Sequence, residues 1–371
     1  MKKLMLVFFS LLVFACSENE NVKEDIEEET DNEVEEETEI DEGREAEEEI
    51  TINELNIDFF QVDGNDVVLA SELMEAIGGH YDYDETHRTI HIEVEGREFY
   101  LIYDVPVLEV DGEYLATDEV SLVVEDDLPY LTLAFIEEGL ETSFQIEEDS
   151  ELTFQWEESV IQAWSPRGEE AFDLYALSVE EMIDYLSFLQ LPIEGAQVST
   201  IESHLPGAPR SYRNGYHEGI DWYDYASGTA ITTDTPIYAM AKGTVVRVDH
   251  DFEEYPSPLI RNKDLSVAAE IGTTPEFILD RLRGMQVWVQ YENGVMNRFA
   301  HLDSIPEGLA VGDEVDASTI IGYVGNTGTS HSVNEDGGGL HLHQDLLIYG
   351  QFFWKPYSPE EVREILLSIW G

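Results

Sequence analysis

Apolar and polar positions divide the chain into four textures. Residues 4–15 are an unbroken apolar run except for Ser10, and they follow Lys2 and Lys3. Over residues 17–50 a few apolar side chains are scattered without a period among acids, a pattern that predicts no packed element. Residues 55 to about 157 then change period repeatedly. Val67-Val68-Leu69 leads into Leu73, Met74 and Ile77 at helical spacing, Gly78-Gly79, Tyr81, Tyr83 and the alternating Thr89-Ile90-His91-Ile92-Glu93-Val94. The order returns 62 to 63 residues later with Tyr130-Leu131, Phe135-Ile136, Gly139-Leu140, Phe144, Ile146 and Leu152-Thr153-Phe154, so each half predicts strand, short helix, turn, strand. Next, Ser178-Val179-Glu180-Glu181 is a capping-box signature for a helix that puts Met182, Leu186 and Leu189 on one face and ends before Pro192. From about 206 to 356, short apolar strands alternate with glycines, at 237–241, 244–248, 285–291, 295–300, 320–324 and 340–348, which predicts an antiparallel β-domain.

The fold class that follows is mixed and mainly β. It comprises a signal segment (1–15), an acidic disordered tether (16–50), a small α+β stalk domain of two pseudo-repeats (51–157), a helical connector (158–205) and an antiparallel β-sheet domain (206–371) with an insertion at 251–284. A chain of 371 residues can hold such cores without disulfides. Acids outnumber bases by 81 to 18, a net charge of −63, which argues against nucleic acid as a partner because phosphate contacts need basic surface. The tether holds much of that charge, but residues 51–371 are acidic too and contain little lysine. Such a composition suits a salty or alkaline medium, where a short Debye length mutes self-repulsion.

A run of twelve residues, eleven of them apolar, cannot span a bilayer, which takes about 20 in a helix, but it suits the core of an export signal. Val13-Phe14-Ala15-Cys16 resembles a bacterial lipobox, which implies lipidation at Cys16 as the mature N-terminus. The alternative is cleavage nearby that leaves a free thiol. The 34 residues that follow could reach on the order of 100 Å, far enough to hold a domain off a membrane and within a cell wall. Cys16 is the only cysteine, so any metal site must use His, Asp or Glu. The repeated unit at 51–157 resembles the copper amine oxidase N-terminal-like stalk module of exported Gram-positive proteins, a name that implies no copper chemistry. His87 and His91 fall two strand periods apart there and are expected as solvent-facing residues, with a metal pair as the lesser alternative.

Four histidines and an aspartate stand out in the last domain: His217 and Asp221 in His217-Glu218-Gly219-Ile220-Asp221, His301 in Phe299-Ala300-His301-Leu302, and His341 and His343 in His341-Leu342-His343. Alternate strand residues share a face, so His341 and His343 look into one space, with Asp345 as an outer partner. Two imidazoles and one carboxylate, with a fourth place left to water, make the ligand set of a catalytic zinc site, and calcium or magnesium would call for oxygen ligands.

The segment 206–350 resembles the lysostaphin-type (LytM-like) zinc metalloendopeptidases that cut peptidoglycan. The likeness rests on His217-x-Gly219-x-Asp221, Thr235-Pro236-Ile237-Tyr238-Ala239, Gly243-Thr244-Val245, Phe299-Ala300-His301-Leu302, Gly312-Asp313-x-Val315, Ile321-Gly322-x-Val324-Gly325-Asn326-Thr327-Gly328 and His341-Leu342-His343. It implies one Zn2+ per chain held by His217, Asp221 and His343, with His301 and His341 as the unligated catalytic pair. Zinc would supply an activated water, and the two histidines would move its proton to the leaving amine. Tyr212 and Tyr216 are expected to pack under the groove or to add an oxyanion donor. Three features depart from the family pattern: the insertion at 251–284, expected to hold a helix opened by Thr273-Thr274-Pro275-Glu276; a long loop from Gly328 to Leu340; and Gln344, where Phe is common.

The expected function is that of a lipid-anchored, extracytoplasmic zinc endopeptidase whose partners are peptidoglycan and, through the lipid, the membrane. The pattern specifies no oligomeric state. One rival is a non-catalytic wall-binding or activator protein on the same fold, which typically loses zinc ligands; another is a salt-adapted surface adhesin. All five His and Asp positions are present, which favours the enzyme.

Overall fold

The computed structural model describes residues 51–147, 150–158 and 172–371. The signal segment, Cys16 and the acidic stretch to residue 50 lie outside the described residues, as does the first part of the connector. No helix among the described residues is long and apolar enough to cross a membrane.

In the N-terminal module the strand Asn65–Leu69 runs into a helix, Ala70–Ile77, that buries Ala70, Leu73, Met74 and Ile77. Gly78 ends it in the left-handed region at φ 71°, where its amide donates back to the Met74 carbonyl. The strands His80–Asp84 and Thr89–Val94 follow. The second half repeats this order with Leu128–Thr132, a turn at Phe135–Gly139, Phe144–Ile146 and Glu151–Glu158. Its helix is a single π-type turn of five residues that buries Phe135, Ile136 and Gly139. The first and last strands, Thr51–Asp58 and Glu151–Glu158, pair antiparallel and close the module. His87 sits in the turn before its strand, whereas His91 is exposed on the strand with its ring 4.6 Å from that of Tyr100, so the two do not form a same-face pair.

The connector is less helical than its sequence suggests. Its one described α-helix, Val179–Leu186, begins with the expected Ser178/Glu181 capping box but stops well short of Pro192. Tertiary hydrogen bonds claim the next backbone groups: the Gln190 amide donates to the Met240 carbonyl (2.7 Å) and Trp370 Nε1 donates to the Leu189 carbonyl (3.0 Å). Met182, Leu186 and Leu189 are nevertheless buried together with Val362, Leu366 and Trp370 of the C-terminal helix Pro359–Trp370.

The C-terminal domain is built on a seven-stranded antiparallel sheet. Its order is Ile220–Trp222, Leu342–Ile348, Val295–Ala300, Val287–Tyr291, Gly243–Val248 and Glu314–Val315, with Gln351–Phe352 also paired to Leu342–Ile348. Alternation along Leu342–Ile348 divides its side chains. Leu342, Leu346 and Ile348 enter the main core with Trp222, Val289 and Phe299. His343, Asp345 and Leu347 take the other face, where Leu347 joins Val246, Trp288 and Met296 under Ile102, Val105, Val107 and Tyr114 of the N-terminal module. Tyr114 fixes that junction, since its amide donates to Gln290 Oε1 (3.1 Å) and its hydroxyl accepts from Arg298 (3.0 Å). One sheet face therefore holds the metal-type residues at one end and the stalk module at the other.

Candidate metal centre and groove

Asp221 and His343 are direct cross-strand neighbours in the register of Ile220–Trp222 against Leu342–Ile348. His217 reaches them from the preceding turn, which holds together because Gly219 packs its α-carbon against the Gln344 carbonyl; a Cβ at residue 219 would collide with that oxygen. His217 Nε2 and His343 Nδ1 lie 3.0 and 2.9 Å from Asp221 Oδ1, and 3.2 Å from one another. These three residues form a group that could hold a metal ion, and all three are buried. Each imidazole is tied on its far side: His217 Nδ1 donates to the Leu205 carbonyl (3.1 Å) and His343 Nε2 to Asp345 Oδ1 (2.8 Å). The ring nitrogens facing Asp221 are thus the ones a metal would take, each giving up any proton it carries there, as ligating imidazoles do. Asp345 in turn accepts from Arg283 Nε (2.8 Å).

Two more imidazoles stand beside this group. The backbone at His301 is left-handed, φ 60°, which breaks the strand between Val295–Ala300 and Leu302–Ser304. Its Nδ1 donates to the Thr327 carbonyl (2.7 Å), and its ring centroid is 4.7 Å from that of His341. His341 Nδ1 donates to the Gly339 carbonyl (2.8 Å), and its ring stacks on Tyr223 at 4.3 Å and 7°.

Burial holds His301 well below the usual histidine range and brings His341 down to about 4. For His343 burial opposes charge, but Asp345 and Asp221 outweigh it and raise the group to about 9. Burial would raise Asp221 as well; His217 and His341 outweigh it and hold the carboxyl well below its ordinary 3.8.

The five residues line a groove of about 1000 Å³. The insertion builds one wall of it through Arg261, Leu265, Leu279 and Leu282. It contains two helices, Pro258–Ile271 and Glu276–Arg283, and only the second was legible in the sequence; it begins at Pro275 without a side-chain cap. The first has no clear apolar stripe and is held by tertiary bonds, with Asn214 donating to the Ala269 carbonyl (2.7 Å) and Arg261 to that of Gly328 (2.8 Å). The long loop contributes Thr329, His331 and Gly339 to another wall.

Gln344 does not shape the groove. It is fully buried on the core face, accepting from Trp222 Nε1 (3.1 Å) and donating to Asn297 Oδ1 (2.7 Å). Neither tyrosine packs underneath: Tyr212 is 58% exposed at the groove, and Tyr216 is 59% exposed against Trp354. Sequence reasoning passed over Arg210, whose guanidinium donates to Asp221 Oδ2 (3.2 Å), Arg283 and Tyr223. Of these only Tyr223 left a signal, two residues after Asp221 at same-face spacing.

Residues 215–353 match the family model of Peptidase family M23, and residues 50–154 match that of the Copper amine oxidase N-terminal domain. The chain thus carries an M23 (LytM-type) peptidase domain behind a copper amine oxidase N-like stalk module. Among solved structures it is similar to a zinc-containing peptidase from Vibrio cholerae, at 12% identity over 82% of this chain and 70% of that one (TM-score 0.29). It is also similar to the catalytic domain of the prophage-encoded M23 protein EnpA from Enterococcus faecalis, at 20% identity over 47% and 95% (TM-score 0.27). A third is the catalytic domain of lysostaphin from Staphylococcus simulans, at 20% identity over 39% and 73% (TM-score 0.22). No curated protein sequence matches the chain.

Proposed function

We propose that the chain is a cell-envelope zinc endopeptidase that hydrolyses peptide bonds of peptidoglycan stem peptides or cross-bridges, anchored outside the cytoplasm by a lipid on Cys16. The supporting observation is the pairing of a three-residue metal group with two further buried imidazoles at one groove. Separations of 2.9 to 3.2 Å among His217 Nε2, His343 Nδ1 and Asp221 Oδ1 are close to the roughly 3.3 Å edge of a tetrahedron with zinc–nitrogen bonds of about 2.0–2.1 Å. The nitrogen and oxygen donors suit zinc, and His217, Asp221 and His343 would hold it. When bound, zinc supplies a Lewis acid that activates water and polarises a carbonyl at neutral pH.

The proton chemistry belongs to His301 and His341. A carbonyl oxygen can only accept, so the bonds to Thr327 and Gly339 place a hydrogen on each Nδ1 and leave a lone pair on each Nε2. Burial keeps both rings neutral near pH 7. Either can therefore take a proton from the attacking water and return it to the departing amine. The groove walls from the insertion and the long loop would hold the peptide in place while this occurs.

The test uses the full mature chain, because the stalk module is packed on the same sheet. Zinc-loaded protein incubated with purified peptidoglycan should release fragments with new amine ends, identified by mass spectrometry. A chelator should stop the release and added zinc restore it. A fully zinc-loaded chain that releases nothing from several wall chemistries, at moderate and high salt, would shift the reading to a non-catalytic wall-binding protein. Mass spectrometry of the native N-terminus should find a lipid on Cys16, and an unmodified thiol there would remove the anchor from the proposal.

A further inference from the structure

Four arginines line the groove: Arg210, Arg213, Arg261 and Arg283. Three have an acid. Arg210 donates to Asp221 (3.2 Å), Arg213 grips both oxygens of Glu218 (2.8 and 2.6 Å), and Arg283 donates to Asp345 (2.8 Å). Arg261 has no carboxylate partner among the described residues, and its one hydrogen bond runs from Nε to the Gly328 carbonyl (2.8 Å). The nearby carboxylate of Glu254 is committed elsewhere, one oxygen accepting from the Gly328 amide and the other from the Tyr255 amide, each at 2.8 Å. Among the described residues, neither terminal nitrogen of Arg261 has a hydrogen-bond acceptor. In a chain with 81 acids and 18 bases, a half-buried groove arginine with no carboxylate hydrogen-bonded to it among the described residues stands apart from the other three. Burial lowers its pKa, yet a guanidinium stays ionised.

A fixed guanidinium with two free NH2 arms is a fork that fits a planar carboxylate. Its Nε bond to Gly328 fixes its direction on the same turn whose Thr327 carbonyl orients His301. Leu265, one helical turn further along Pro258–Ile271, lines the groove beside it and offers apolar contact to an adjoining part of a ligand.

We propose that Arg261 is a carboxylate-binding residue of the groove, so that the preferred substrate is a peptide with a free carboxylate near its scissile bond rather than a neutral chain. The proposal rests on the peptidase reading above for the peptide and on Arg261 alone for the carboxylate. The insertion thus determines specificity as well as forming a wall.

The experiment compares two soluble stem peptides that differ only in one side-chain carboxylate, free in one and amidated in the other. The zinc-loaded full chain should hydrolyse the acid with a kcat/KM about tenfold above the amide, a difference carried by KM, as expected for one charge-assisted contact. Arg261→Gln should bring the ratio of kcat/KM for the acid over the amide near one whatever its absolute rate, because a disturbance of the turn at Gly328 would affect both peptides alike and cancel in the ratio. Arg261→Lys should keep part of the preference and Arg261→Glu should reverse it. A wild type that does not discriminate, or an Arg261→Gln chain that keeps the full ratio, overturns the proposal and leaves the peptidase reading standing. If wild type hydrolyses neither peptide, the assay on purified peptidoglycan decides the peptidase reading, and calorimetric binding decides the subsite by itself. A tenfold tighter Kd for the acid that is lost in Arg261→Gln supports it, and equal or absent binding overturns it.

Discussion

His301 is held by Thr327: its Nδ1 donates to that carbonyl across 2.7 Å, from a backbone at φ 60° that a β-strand would not provide. The Thr327 hydroxyl accepts from the Met285 amide (3.0 Å) and donates to the Leu302 carbonyl (2.9 Å), so the turn is tied on both sides of the histidine. The insertion secures the next residue, with Glu254 accepting from the Gly328 amide and Arg261 donating to its carbonyl. An imidazole fixed in this way is suited to repeated proton transfer because little reorganisation accompanies each step.

On the proposed mechanism, His301→Ala should lower peptide-bond hydrolysis by about 100- to 1,000-fold while zinc stays bound, since the residue lies outside the three-residue metal group. Turnover on purified peptidoglycan beside metal analysis checks this. Undiminished turnover would move the proton chemistry to His341 alone.

Asp345→Asn should weaken zinc binding by about 10- to 100-fold, measured by competition with a chromogenic chelator. The carboxylate holds His343 Nε2–H and pairs with Arg283 in a buried setting. Its loss also leaves that guanidinium uncompensated, so the melting temperature should fall in the same protein. Unchanged zinc affinity would mean that Asp345 serves only the arginines.

Gly219→Ala should destabilise the C-terminal domain by about 1 to 3 kcal/mol, because the new methyl group meets the Gln344 carbonyl and the turn carrying His217 must shift. Chemical denaturation gives the size, and zinc content should fall with it. Full stability in the variant would show that the turn relaxes freely.

Trp288→Ala should cost about 3 to 5 kcal/mol. Trp288 is fully buried where the sheet meets the stalk module, with Tyr114 edge-on to it at 5.3 Å and the Arg298 guanidinium 4.1 Å from its ring. Limited proteolysis should then separate the two parts more readily. A variant as resistant as wild type would indicate that the junction holds through Tyr114 and its hydrogen bonds.

Elements whose signals are local were legible in the sequence. Short apolar runs punctuated by glycine gave the strands of the C-terminal sheet, the Ser178/Glu181 spacing gave a helix start, and a repeat of 62 to 63 residues gave the two halves of the stalk module. Spacing also placed His341 and His343 on one face, because strand geometry fixes side-chain direction within two residues. Tertiary structure decided the rest. The cross-strand register set Asp221 opposite His343, and hydrogen bonds across the chain ended the connector helix at Leu186. The insertion's first helix has almost no apolar stripe, so nothing local announces it; contacts with Asn214 and Gly328 hold it in place. Arg261 shows the same division: its sequence neighbours say only that it is charged, whereas the pairing of every other groove arginine with an acid, a property of the folded groove, leaves this one without. Local pattern fixes backbone periodicity, but long-range electrostatic pairing depends on which residues the folded chain brings together.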